Sequence, residues 1–473
     1  MLGLCALVLA AGMGLGTLGN PEHRSYLLAL LLGCLCAAVL CWLRARSLPR
    51  LSGLLEGSAG KSCALLALLC AALHLTWVLA FRLEPSGDYA TFYNTAADLA
   101  RGQPLRSAEY VAMFPHILGY AAFLSLFMRL FGVSALAASV LNVLLTTASG
   151  VLLYRLCLRW WGKRAALIAF ALWILCPSKL LYNTMVLSEP FYTCLLLLFL
   201  TLLSALERRL PEKRGRLQRF GLWGLAAGVL LRMLNAARPV AAVPILALLI
   251  WLLLLRGRAQ RKGSFGPWAL FVCLLVLSYA ASGTAWDAYA RSVLGETPAA
   301  MPGYNIYVGF NEESGGSYST EDAELLMHYR YEVYGNAAQA QEKMLQEAEG
   351  RIRSGQIDFG SLLARKLRTF LGNDEGGAYY SRLRMDARQY ALWSAASNVY
   401  FYALVLLSLA GCLWLCREEE RRCILLAPLY VLGLTLAQML VEVAGRYHYS
   451  ILPMLILLAA AFLGSEVPQK TRR

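Results

Sequence analysis

Long apolar runs recur along the whole chain, and polar stretches of two kinds separate them. A helix must carry about 20 predominantly apolar residues to cross a hydrocarbon core of roughly 30 Å. On that measure the pattern predicts an all-α polytopic membrane protein with about 12 transmembrane helices. The runs lie near 2–19, 26–43, 63–81, 133–154, 165–182, 187–206, 220–236, 239–255, 267–285, 396–416, 423–441 and 447–464. A further run, 114–131, is apolar enough to cross but carries Pro115, His116, Gly119 and a mid-run Arg129.

The short connections set the orientation. Clusters around Arg44 to Lys61, Arg155 to Arg164, Arg208 to Arg219, Arg256 to Lys262, Arg417 to Arg422 and Lys470 to Arg473 are rich in Lys and Arg. Such clusters mark cytoplasmic loops. They all fall on one side if both termini are cytoplasmic and 114–131 does not cross, so 114–131 is expected to lie along the outer face as a juxtamembrane helix. The expected organisation is an N-terminal hairpin with a basic loop (1–62), a membrane core (63–285) with an outer loop at 82–132, an extracytoplasmic insertion (286–395), and C-terminal spans (396–473). Within the insertion, 301–318 reads as loop, an imperfect capping box at Thr320 opens a helical stretch to about Arg353, and Phe359–Leu371 reads as an amphipathic surface helix.

Composition supports this picture. Hydrophobic residues make up 58% of the 473 and charged residues 15%, which is too little polar surface for a soluble domain of that length. The net charge of +15 sits in membrane loops, and no nucleic-acid motif accompanies it. The thirteen cysteines lie in or beside apolar runs and none in Arg82–Ala112 or Trp286–Ala395, so they read as small hydrophobes and not as a disulfide framework.

Four polar features stand at the expected outer face. The first is Asp88, followed by Tyr89, Tyr93 and Asn94. The second is Leu187-Ser188-Glu189-Pro190, which reads either as a helix start capped by Ser188 or as a site carboxylate. The third is Arg238-Pro239, with Arg232 and Asn235 before it, read either as an arginine snorkelling to the interface or as an anion site at a broken helix. The fourth is Glu442 to Tyr449, where Arg446 and His448 run against the positive-inside bias, so that a bound anion or Glu442 should compensate them. Carboxylates for proton transfer beside arginines for a phosphate suit a lipid-linked phosphosugar, whose weakly nucleophilic acceptor needs a general base.

The order of these features resembles the GT-C superfamily of polyprenyl-phosphate-sugar glycosyltransferases, in its aminoarabinose transferase and protein O-mannosyltransferase branch. The likeness rests on the acid Asp88, Phe114-Pro-x-x-x-Gly-Tyr120, Leu-Ser-Glu-Pro at 187–190, Arg238-Pro239, the large loop, and Arg446-Tyr-x-Tyr-x-x-x-Pro453. It spans roughly 63–464 and leaves 2–43 without a role. It implies an inverting transferase moving a sugar from a polyprenyl-phosphate donor to an outer-face acceptor (a glycan, lipid or protein), with no nucleic-acid partner. The resemblance further implies Asp88 and Glu189 as catalytic residues. Arg238, Arg446 and His448 would be donor-phosphate ligands, and Tyr89, Tyr93, His116 and Tyr447 would form the sugar or acceptor site. Two departures matter. Asp88 is followed by Tyr89 where relatives pair two acids, so no metal or other cofactor is assigned, and Phe114 stands where the aminoarabinose branch carries a lysine. The competing readings are a flippase or transporter, and a ligase using a lipid-linked glycan. A flippase should carry polar groups through the full membrane depth, whereas here they gather at one face.

Overall fold

The structure, a computed structural model, describes residues 1–19, 23–45, 57–210, 215–256, 258–418 and 423–465. Of the basic residues invoked for orientation, Arg46, Arg50, Lys213, Arg214, Arg421, Arg422, Lys470, Arg472 and Arg473 lie outside the described residues. All regular structure among the described residues is helical. In chain order the helices are α1 (Leu2–Leu18), α2 (His23–Ala45), α3 (Ala59–Ala80), α4 (Asp88–Arg101), α5 (Ala108–Met113), α6 (His116–Phe131) and α7 (Ala135–Trp161). Next come α8 (Lys163–Ile174), α9 (Pro177–Tyr182), α10 (Glu189–Arg208), α11 (Arg216–Ala237), α12 (Ala242–Ile250) and α13 (Arg258–Leu294). The remainder are α14 (Gly303–Gly309), α15 (Thr320–His328), α16 (Ala337–Arg353), α17 (Phe359–Leu371), α18 (Gly376–Ser381), α19 (Ala387–Arg417), α20 (Leu426–Leu440) and α21 (Ile451–Gly464).

Among the described residues, nine helices are long and apolar enough to cross a membrane, with Leu2–Leu18, His116–Phe131 and Ala242–Leu255 as shorter apolar helices. The expected count of about twelve is therefore not reproduced. The expected span 165–182 is two pieces, because Pro177 lacks the N–H that would continue α8 and opens α9 at its first turn instead. Two helices overrun their apolar windows: α13 continues to Leu294 and α19 starts at Ala387, where an Asp386–Gln389 capping box begins it. In the insertion, the cap of α15 is Ser319, whose hydroxyl accepts from the Asp322 N–H, in place of Thr320.

Side-chain environment follows hydrophobic pattern. Helix α21 is apolar on every side and is buried on nearly every side, the central post of the bundle. By contrast α2 and α3 leave Leu28, Leu31, Leu35, Leu65, Leu68 and Leu69 exposed, a row of apolar side chains suited to lipid.

Two ends of the bundle can be told apart. Tyr154, late in α7, donates to the Ala59 carbonyl at the start of α3, so these two spans run antiparallel. The chain between the end of α3 and the start of α7 therefore begins and finishes at the same end. Helix α6 stays there: Arg129 at its last turn bonds the Leu99 carbonyl of α4, and a Cβ on Gly119 would collide with the Ala236 carbonyl at the end of α11. This is the arrangement expected for a juxtamembrane helix. At the other end, Arg44, Lys163, Arg164 and Arg159 donate to Ser465, Gly57, Arg44 and Thr201 respectively, drawing several basic loops together.

The N-terminal hairpin is integrated into the bundle. A Cβ on Gly16 would sit 2.0 Å from the Gly372 carbonyl, and one on Gly12 would meet Leu371, so α1 packs at backbone distance on the end of α17. Tyr26 of α2 donates to both oxygens of the Glu375 carboxylate, at 2.9 and 2.8 Å, and Arg368 bonds the Gly19 carbonyl.

Candidate active site

Asp88 occupies the first turn of α4. Gly87 precedes it with φ of +54°, a conformation that favours glycine and turns the chain sharply out of the 82–87 loop. The carboxylate is more than half exposed, at 56%, and sits at the positive end of the helix. Arg446 Nη2 donates to Asp88 Oδ2 at 2.7 Å, and Arg446 Nη1 reaches the Tyr89 hydroxyl at 3.4 Å. The rings of Tyr380, Tyr447 and Tyr89 lie 5.3, 5.6 and 5.7 Å from the guanidinium, forming an aromatic collar.

Glu189 is the second acid, and it is only 3% exposed. Its Oε1 lies 3.7 Å from Arg238 and 3.9 Å from Arg446, so one carboxylate stands between two guanidinia. The Ser188 hydroxyl makes no capping bond and has no hydrogen-bond partner, so the helix-start reading of Leu-Ser-Glu-Pro accounts for Pro190 but not for Ser188. Arg238 sits in extended backbone between α11 and α12, its guanidinium 4.1 Å over the Tyr447 ring. The helix break does not leave its N–H groups open as expected: Val240 N–H bonds the Arg238 carbonyl and Ala241 N–H bonds the Asn235 side chain. The anion-binding capacity at this break therefore rests on the guanidinium. Arg446 Nε has no hydrogen-bond partner, and Arg238 donates no hydrogen bond from its guanidinium among the described residues.

The remaining expected residues divide. Tyr89 and Tyr447 are in the collar. Half-buried His116 opens α6 between Phe92 and Phe114, with burial and then the fields of Arg238 and Arg446 pulling its pKa down to about 3. It is thus neutral near pH 7 and adds no positive charge beside Phe114. Tyr93 lies one turn beyond Tyr89 on α4 and is not in the collar around Arg446. His448 is a correction: it is 1% exposed, one ring nitrogen pairs with the Phe370 carbonyl at 2.8 Å and the other with Asp374 at 2.9 Å, so neither is left for a phosphate. Arg232 is drawn away to Asp287 at 2.6 Å. Arg446 pairs directly with Asp88 and lies 3.9 Å from Glu189, while Glu442 accepts from Asn305 and is held above the usual carboxylate range by burial, which the fields of Arg446 and Arg238 partly offset.

Three contributors were not expected. Tyr380 joins the collar from α18 and meets Tyr89 edge-on at 5.8 Å. Asp374 anchors His448, and fully buried Lys366 reaches the segment leading to Arg446. The spacing Leu362, Lys366, Phe370 puts that lysine on the apolar face of α17, a signal readable from sequence. A cleft of about 480 Å³ opens beside the collar, walled by Tyr89 and Tyr380 and edged by Arg82, Glu84 and Arg384. A larger apolar hollow of about 540 Å³, around Trp268 and Arg256, lies away from these acids.

Residues 115–286 match the family model for dolichyl-phosphate-mannose-protein mannosyltransferase. The matched stretch carries His116, Glu189 and Arg238, while Asp88 and Arg446 fall outside it. No curated protein matches the chain. Among solved structures, the crystal structure of ArnT from Cupriavidus metallidurans bound to undecaprenyl phosphate is similar at 13% identity and a TM-score of 0.34, covering 87% of this chain and 78% of that one.

Proposed function

We propose that this protein is an inverting glycosyltransferase that moves a sugar from a polyprenyl-phosphate donor to an acceptor at the outer face of the membrane. The observation that carries this reading is a pair of guanidinia with unspent donors, Arg238 and Arg446, held beside an accessible carboxylate, Asp88. Arginine forks suit phosphate oxygens, and a phosphate entering between them meets cations already desolvated by the protein. Glu189 holds both guanidinia in place, as a buried counter-ion whose own charge they offset.

In the transfer, the acceptor hydroxyl oxygen attacks the anomeric carbon as Asp88 takes its proton. The bond from that carbon to the phosphate oxygen breaks, and its electron pair leaves with the phosphate, where Arg446 and Arg238 stabilise the added charge. Arg446 turns from Asp88 to the phosphate, which frees Asp88 Oδ2 as proton acceptor. The cleft at Tyr89 and Tyr380 gives the acceptor a path to Asp88, and neutral His116 is available as a hydrogen-bond partner for the sugar.

Deleting the gene is expected to remove one sugar substituent from the cell surface, read by mass spectrometry of surface glycans, lipids and proteins. Unchanged surface glycosylation together with lipid-linked sugar trapped inside would point to a flippase instead. Orientation has its own test in a cysteine-free background. A membrane-impermeant thiol reagent should label Glu313→Cys in intact cells and miss Arg208→Cys; the reverse pattern would put the site on the cytoplasmic face.

A further inference from the structure

Lys366 is fully buried, yet it spends its ammonium on no acid. It donates to the carbonyls of Val441 at 2.7 Å, Gly309 at 2.8 Å and Met439 at 3.0 Å. Gly309 is the last residue of α14, and Met439 and Val441 flank the end of α20, where carbonyls have no intrahelical partner. One ammonium therefore closes two helix ends at once and joins them to α17. The segment that follows is stitched to the same region: Glu442 N–H bonds the Asn305 carbonyl at 2.7 Å and Val443 N–H the Gly316 carbonyl at 2.9 Å. Arg446 comes three residues later, directly after the stitched backbone.

We infer that Lys366 is a positioning residue for the donor-phosphate site, setting where the 441–446 segment places Arg446. The inference rests on the reading of Arg446 as a phosphate ligand. Three carbonyls require three N–H donors, so the clamp is complete only when Lys366 is an ammonium; a neutral amine offers two hydrogens and turns its lone pair on the third carbonyl. Burial pulls the Lys366 pKa down to about 8, with Glu442 raising it in part. Of the other charged groups on the packed elements, Arg365 is drawn to Glu312 and His448 is bound to Phe370 and Asp374, while α1 carries no charged side chain.

The test is binding of undecaprenyl phosphate to the full chain in nanodiscs between pH 7 and 10. Over that range the arginines stay charged, and burial keeps the Tyr89 and Tyr110 hydroxyls above their usual pKa. Affinity of the unmodified protein should fall by about tenfold or more as pH rises through 8. Folding stability should not fall with it: between 8 and the ordinary lysine value the unfolded chain holds a proton that the folded chain has lost, so stability rises with pH. K366R, which keeps its charge, should lose the alkaline fall, and K366M should bind weakly at every pH. A pH-independent affinity of the unmodified protein, or K366M binding like it, overturns the inference, and the first of these needs no variant to fold. If R446K also binds normally, the phosphate reading itself fails; if R446K loses binding while K366M does not, only the role of Lys366 is lost.

Discussion

Asp88→Asn is expected to abolish sugar transfer, by about 10³-fold or more, while leaving the fold and donor binding intact. The asparagine is isosteric, and its carbonyl oxygen can still accept from Arg446 where Asp88 Oδ2 does at 2.7 Å. Since the side chain is more than half exposed, its loss of charge should scarcely change the thermal midpoint. What the amide cannot do is take a proton from the acceptor hydroxyl. Turnover with a polyprenyl-phosphate sugar, measured alongside undecaprenyl phosphate affinity, separates the two roles. Near-normal turnover by the variant would show that Asp88 is not the base.

The second large effect belongs to Arg446. Arg446→Lys should weaken undecaprenyl phosphate binding by about 100-fold, because a single ammonium cannot offer phosphate oxygens the paired N–H donors of the planar fork. Arg446→Ala should also damage the fold. It leaves Glu189, 3% exposed, with Arg238 as its remaining cation at 3.7 Å, and breaking a buried pair costs about 3–5 kcal/mol. Melting curves in detergent should therefore rank the unmodified protein above Arg446→Lys, and that above Arg446→Ala. Equal donor affinity for all three would remove Arg446 from the phosphate site.

Much of this arrangement was legible in the chain because membrane rules act on single residues. Apolar length and the positive clusters were enough to keep 114–131 at the end it shares with Asp88, and the Tyr154 bond to Ala59 agrees. The convergence of Asp88, Glu189, Arg238 and Arg446 followed from asking which charges share an end. Partner choice was not legible. His448 and Arg446 are two residues apart and equally anomalous by charge, yet one faces the collar and the other the Phe370–Asp374 pocket. The 3₁₀ turn Gly445–Ser450 separates their directions, and nothing in the apolar pattern announces that turn. Lys366 was hidden differently: its spacing from Leu362 and Phe370 puts it on the apolar face, but beside Arg365 and Arg368 it passes for one of a basic cluster, and only its match with two helix ends shows why burial is tolerated.

The glycine contact between α1 and the end of α17 has a consequence for biosynthesis. Tyr26 and its partner Glu375 are 349 residues apart, so the hairpin enters the bilayer long before α17 and α19 are made. Until then Gly12 and Gly16 present a bare groove to lipid or to the insertion machinery. Assembly therefore closes late, when α1 and α2 meet α17 and α19. A nascent chain stalled before Leu371 would hold α1 and α2 and still lack the surface on which Gly12 and Gly16 pack.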